Sequence, residues 1–370
     1  MIATKQDILL KGKGPLFARV RENLHRQIVR MPVGAKLPPE RSLAKKFDVD
    51  RLTVRRAMGL LAKEGYIIRH QGRGTFVTDR IDLEKPTATS STIACIMPFP
   101  QILSHRRMIE GMQQEAAARG HDLLLKSFGH NPQQEWNILE ALAEEDLAGI
   151  ITFPIPENVL DEAYMGLING LLETGRKVVL MDMYVPGSAA PVAMADKHQV
   201  GYLAVEHLIM LGHRKICYVT TRSQDTTGKE SFNGYRDALS DYGVKFDEGL
   251  VIDLPIKESA GPAHDAIHER LQDNPRFCTA IATSHFSMAY GIYNALIELG
   301  RTPARDISLI GNDMEENPEY MHVTHTIQPH IQVGREAVKL LLAEDYQKSR
   351  NRHVLLKSRL HKGDTCGQNQ

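Results

Sequence analysis

Residues 34–78 read G34-A-K-L-P-P-E-R-S-L-A-K-K-F-D-V-D-R-L-T-V-R-R-A-M-G-L-L-A-K-E-G-Y-I-I-R-H-Q-G-R-G-T-F-V-T78. Pro38-Pro39-Glu40 opens a short helix with Leu43 and Phe47 one turn apart on its buried side. Asp50 is placed to cap the next helix, where Val54, Ala57, Met58 and Leu61 keep the i, i+3, i+4, i+7 spacing of a buried stripe. After Gly65 the period changes to that of a strand over Tyr66 to His70. Gln71-Gly72-Arg73-Gly74 then turns the chain into Thr75 to Thr78. Just upstream, Phe17, Val20, Leu24 and Ile28 recur at helical spacing before Pro32 and Gly34 stop the element. Three short helices closed by a hairpin form a small α+β domain, expected to end near residue 80.

Charge draws the same boundary. The chain of 370 residues is neutral, with 45 Lys and Arg against 45 Asp and Glu. Residues 1–80 hold 18 basic and 7 acidic side chains, so this part is +11 and the remainder −11. One module therefore suits a polyanion and the other does not, unless the basic face is an idle solvated one. The length calls for two or three domains. Met1 to Leu10 lacks the apolar run of a signal peptide, and no stretch reaches a membrane span, so a cytoplasmic, unexported chain without a membrane partner is expected. Cys95, Cys217, Cys278 and Cys366 are far apart, three of them in or beside strand-like runs, as buried free thiols would be.

Residues 79–92 contain Pro86 and a Thr/Ser/Ala run and read as a linker, taken as 81–92. Beyond it, short apolar runs alternate with amphipathic helices. The runs are Ile93 to Met97, Asp122 to Lys126, Gly149 to Phe153, Lys177 to Met181, Lys215 to Val219, Leu250 to Asp253, Thr279 to Thr283 and Ile307 to Ile310. Such alternation means doubly wound parallel sheets, and eight strands over this length fit two sheets better than one. The expected lobes are about 93–195 with 330–351, and about 196–329 with 352–365.

In the basic domain Arg51, Thr53, Arg55 and Arg56 lie off the apolar stripe near the start of the third helix, where a recognition helix meets the major groove. Arg41 can approach the same surface, and Arg69, Gly72 and Arg73 would carry the hairpin to an adjacent groove. Arginine suits this work because its planar fork binds guanine or phosphate bidentately; each arginine could instead be an unspecific phosphate contact or a surface charge. Gly34 to Ala44, Val49 to Ala57, Leu61 to Tyr66 and Gly72 to Val77 resemble the N-terminal domain of the GntR (gluconate-repressor) family, a winged helix-turn-helix, over nearly all of residues 16–78. The resemblance implies DNA contacts at Arg41, Arg51, Thr53, Arg55 and Gly72. Asp50 stands where most members have Ser or Thr; its carboxylate can cap the helix but repels phosphate, so it is not counted among the contacts.

Open α/β sheets bind ligands at the carboxyl ends of their strands. Phe99, Asp182, His285 and Asp313 follow four of the strands. Carboxylates accept hydroxyl hydrogen bonds and an aromatic ring covers apolar C–H surface, a set that suits a polyhydroxylated ligand; the aspartates could equally cap loops. I93-A-C-I-M-P, E110-G-M-Q-Q-E-A-A-A-R-G-H, H207-L-I-M-L-G-H-R-K-I, G234-Y-R-D-A-L and D306-I-S-L-I-G-N-D resemble the sensor domain of the LacI/GalR (lactose and galactose repressor) family over about residues 93–356. That resemblance implies a two-lobed, periplasmic-binding-protein-like fold, and ligand contacts at Asp182, Asp313 and Gln328. Ser231 replaces the family's usual arginine, and His285-Phe286 its usual Asn-Asp, so altered specificity is expected in a pocket of the same architecture.

His322, His325 and His330 lack the accompanying ligands of a metal site, and no P-loop, dinucleotide fingerprint, G-x-S-x-G or H-E-x-x-H occurs; neither metal nor cofactor is expected. The sequence therefore points to a non-enzymatic, ligand-responsive regulator, with duplex operator DNA and a sugar or sugar derivative as partners. A homodimer on a palindromic operator, released as a repressor by its inducer, is the expected form; a co-repressor is physically equivalent. A sugar-active enzyme on the same fold and a transport protein are the rival classes, the latter opposed by the basic first domain.

Overall fold

The computed structural model describes residues 15–28, 31–63, 65–70, 73–78, 90–223, 225–255, 260–313 and 322–369. The chain divides into two compact units, Met1–Thr87 and Ala88–Gln370. Most of the expected linker, residues 81–89, lies outside the described residues, and the expected linker end Thr92 already pairs with Asp122 in a sheet.

The first unit consists of α1 (Leu16–Ile28), α2 (Glu40–Phe47), α3 (Arg51–Lys63) and an antiparallel pair, β1 (Ile67–His70) and β2 (Gly74–Val77). The apolar stripes read from the sequence are its core. Val20, Leu24, Leu43, Phe47, Val54, Ala57, Met58 and Leu61 all pack out of solvent, each larger side chain contributing about 1.5–3 kcal/mol by burial. α2 ends where Asp48 turns left-handed, at φ 56, and donates its N–H to Ala44.

The second unit has two lobes. The first carries β3 (Thr92–Met97), α4 (Leu103–Ala118), β4 (Asp122–Ser127), α5 (Pro132–Leu142), β5 (Gly149–Thr152), α6 (Pro156–Val159), α7 (Glu162–Glu173), β6 (Val178–Met181) and β7 (Val192–Ala195). The chain then crosses to the second lobe through α8 (Lys197–Met210), β8 (Ile216–Thr220), α9 (Thr226–Asp241), β9 (Val251–Asp253), α10 (Ala260–Asp273), β10 (Ala280–Thr283), α11 (Phe286–Glu298), β11 (Ser308–Asn312) and β12 (Thr324–Ile327). It returns in α12 (His330–Leu341) and β13 (His353–Leu356), and crosses a third time into β14 (Arg359–His361).

The sheet orders are β13-β7-β6-β5-β3-β4 and β14-β12-β11-β10-β8-β9, and every pairing is parallel except β12 with β14. The two doubly wound sheets expected from the alternation are present. Strand residues such as Ile150, Ile151 and Val178 to Met181 are buried and apolar because helices cover both faces. One lobe assignment is corrected: residues 353–356 were expected in the second lobe but pair with Val192–Ala195 of the first, covering what would be an open backbone edge on β7. No described helix is long and apolar enough to cross a membrane.

Candidate functional site

The candidate nucleic-acid face lies at the start of α3. Asp50 caps this helix as expected: its Oδ1 accepts the Thr53 N–H at 2.8 Å and its Oδ2 the Thr53 hydroxyl at 2.5 Å. These bonds from the Thr53 side chain and backbone hold the Asp50 carboxyl below its usual range. Glu40, at the start of α2, accepts Arg51 Nε at 3.3 Å and sits 3.5 Å from Arg69 Nη2, which also reaches the carbonyl of Arg55 at 3.4 Å. One carboxylate thus ties α2, α3 and β1 together. Arg41, Arg51, Arg55 and Arg73 are exposed. Arg56 is exposed as well, and its guanidinium lies 3.9 Å from the ring centroid of Phe17 on α1. Gly72 lies outside the described residues.

The second candidate site is the seam between the sensor's lobes. Asp182 and Asp313 each follow a strand and each turn left-handed, at φ 69 and 49, with their N–H groups bound to Ala193 and Thr326 of the neighbouring strands. Lys197, only 8% exposed, donates to Asp182 Oδ1 at 2.8 Å and to Gln328 Oε1 at 2.6 Å. Gln328 passes the connection on: its N–H donates to Asp313 Oδ1 at 2.9 Å and its amide to Asn312 Oδ1 at 3.2 Å. Asp313 Oδ2 in turn lies 3.0 Å from His330 Nε2, the first residue of α12. A continuous polar chain therefore runs from the first lobe through two crossover segments to the second lobe and back. Burial would raise the pKa of Asp313, but the His330 ring and its hydrogen bond, the Gln328 N–H and Lys197 hold it below its usual range.

His285, at the start of α11, has its pKa lowered by burial; the charges acting on it are Asp225, Lys197, Asp313 and Asp182, which places it at the same centre. Its Nδ1 is 2.9 Å from Ser287 Oγ. On the first lobe Phe99 meets His130 edge to face at 4.5 Å, its carbonyl lies 2.7 Å from His105 Nδ1, and His105 packs 4.7 Å from Phe153. Ser231 is corrected. It is 3% exposed, its Oγ is 2.5 Å from the Tyr218 hydroxyl, and its carbonyl is so close to α8 that a Cβ at Gly201 would meet it at 1.9 Å. It is a helix-packing residue inside the second lobe.

Sequence reasoning missed Lys197, Asn312 and Tyr184, and weighed His330 only as a metal ligand. Only the Asp196 helix cap next to Lys197 was available as a signal, and a cap says nothing of where the following side chain goes. Tyr184 binds across the seam, donating to Glu230 at 2.9 Å while its carbonyl accepts Thr226 Oγ1 at 3.3 Å; burial and Glu230 push its hydroxyl up to about 12. A cavity of about 610 Å³ opens beside it, walled by Leu160 and Pro186 on one side and by Arg222, Lys229 and Phe232 on the other. Arg222 lies 4.3 Å over Phe232 and pairs with Glu248 and Asp253. Of the three histidines considered for metal, His325 packs on His361 and His330 on Asp313. Among the described residues no cluster of His, Cys, Asp or Glu could hold an ion.

Residues 16–77 match the bacterial regulatory proteins of the gntR family, and residues 92–314 match the periplasmic binding proteins and sugar binding domain of LacI family. The chain is 25% identical over 343 residues to an arabinose metabolism transcriptional repressor of Geobacillus stearothermophilus, covering 90% of this chain and 92% of that protein. A repressor of the same description from Halalkalibacterium halodurans is 24% identical over 321 residues, 86% of this chain and 85% of its own. A solved LacI family transcriptional regulator from Enterococcus faecium with bound ribose has a TM-score of 0.61 at 21% identity, covering 75% of this chain and 100% of that one.

Proposed function

The chain belongs to the periplasmic binding proteins and sugar binding domain of LacI family, joined to a gntR-type DNA-binding domain, and from that premise we propose that it is a cytoplasmic repressor released from its operator by a sugar bound between the lobes of its sensor. The polar chain from Asp182 through Lys197 and Gln328 to Asp313 and His330 carries this reading, because it gathers groups from both lobes and two crossovers at the strand ends. Sugar hydroxyls that donate to Asp182 and Asp313, with Phe99 against the apolar ring face, would replace or extend these bonds and bias the angle between the lobes. The two arabinose-metabolism repressors and the ribose-bound structure favour a pentose. On DNA, Arg41, Arg51, Thr53, Arg55, Gly72 and Arg73 form the contact group, and a homodimer presents two such groups to a palindromic operator. The coupling between sugar and operator need be only about 1–3 kcal/mol, and it is reciprocal.

The test titrates the full chain with L-arabinose, D-ribose and D-galactose, recording thermal shift and operator release together. A bound sugar raises stability by about 2.7 kcal/mol at a hundredfold excess over its Kd. Asp313→Asn should lose the shift and the release while still binding operator. A full response in that variant places the effector elsewhere.

A further inference from the structure

Leu52 is the most exposed large apolar side chain among the described residues, at 74%, and it stands in the first turn of α3 between Arg51 and Thr53. A single exposed leucine on a surface needs no explanation. Its surroundings here do. Thr53 lies one residue on, but its hydroxyl proton is already committed to Asp50, so this turn has lost its neutral hydrogen-bond donor. Arg51 is restrained by Glu40. Arg55 lies three residues further along, on the same side of the helix as Leu52, and is exposed. The first turn of the helix therefore presents an exposed apolar group, held in a capped and splinted turn and bordered by two guanidinium groups that suit guanine or phosphate.

The major groove offers one apolar feature, the 5-methyl group of thymine. We propose that Leu52 reads a thymine methyl in each operator half-site, beside the positions met by Arg51 and Arg55, and so determines specificity at a base pair that none of the expected contact residues covers. This rests on α3 entering the major groove.

Operators selected from random duplex DNA by the full chain supply the probe, and each thymine is then replaced singly by deoxyuridine, which lacks only the methyl. Burial of one methyl-sized group predicts that one replacement per half-site weakens the wild-type protein about fourfold. Leu52→Ala should bind the thymine and deoxyuridine operators alike, with an unchanged melting temperature, and Leu52→Met should retain the preference. The proposal is overturned if no deoxyuridine weakens the wild type, or if Leu52→Ala keeps the same discrimination. Arg55→Ala separates this from the underlying placement: if it too leaves operator affinity unchanged, α3 itself is misplaced.

Discussion

Replacing Lys197 by Met keeps the aliphatic stem and removes the ammonium that joins the two lobes. In the wild-type protein that ammonium sits 2.8 Å from Asp182 and 2.6 Å from Gln328, with both carboxylate and lysine largely buried. The substitution leaves a carboxylate without its cation and an amide carbonyl without its donor. Breaking one side of a buried pair costs about 3–5 kcal/mol. An unsatisfied buried carbonyl costs about 1–3 kcal/mol. Water entering the seam offsets part of both, so we expect a net loss of about 3 kcal/mol, at the low end of the range for a broken buried pair. For a unit of this size, at about 2–4 °C per kcal/mol, that lowers the sensor's melting temperature by roughly 6–12 °C.

The assay is thermal and urea unfolding of the wild type, Lys197→Met, Asp182→Asn and the double variant, followed by circular dichroism. The double variant should be more stable than the two single losses sum to, with a coupling of about 1–3 kcal/mol, because the neutral amide that replaces the carboxylate no longer buries an uncompensated charge. A Lys197→Met protein within about 1 kcal/mol of wild type would refute the reasoning, as it would mean that the pair is solvated. So would strict additivity in the cycle.

Glu135 is fully buried in the first lobe, where Tyr164, Asn158 and Thr152 donate to it, and burial pushes its pKa from 4.5 up to about 7. A carboxyl whose folded pKa is raised contributes fully below the unfolded value and loses that contribution as pH rises through 7. Sensor stability should therefore fall between pH 4.5 and about 7 by an amount on the order of 3 kcal/mol, and Glu135→Gln should flatten that fall in urea unfolding at a series of pH values; an unchanged slope would assign the dependence to other groups. Arg55→Ala should weaken operator binding and make the salt dependence shallower by about one phosphate contact. Arg56→Ala should instead cost about 0.5–1 kcal/mol of domain stability through its lost contact with Phe17, read from the melting of the DNA-binding unit.

The winged domain was legible almost to the residue, since each of its elements is short and local. The predicted stripe of Val54, Ala57, Met58 and Leu61 is the buried face of α3, and Asp50 caps it. In the sensor the eight strands that alternate with helices were equally clear, whereas β7, β12, β13 and β14 were not. β7 follows β6 with no helix between them, Thr324–Ile327 carries polar side chains that only its neighbours justify, and β13 and β14 are partly exposed edge strands. Asp182 and Asp313 could be found because strand ends are where ligands bind. Ser231 was misplaced because position along a helix does not say whether the side chain meets the cleft or, as here, a tyrosine of the sheet beneath it.

By itself, the sequence determined the two modules, the charge step between them, the helix that carries the arginines and the strand ends that carry the aspartates. These follow from periodicity, capping and composition, which act over a few residues. Only the tertiary structure decided that Arg56 packs on Phe17, that Ser231 is covered by α8, that residues 353–356 return to the first sheet, and that Lys197 and His330 complete the polar chain. Each of these depends on groups brought together from distant parts of the chain: Lys197 and Gln328 are 131 residues apart and bond at 2.6 Å. The energetics of a buried charge are set by such neighbours, and no local pattern records them.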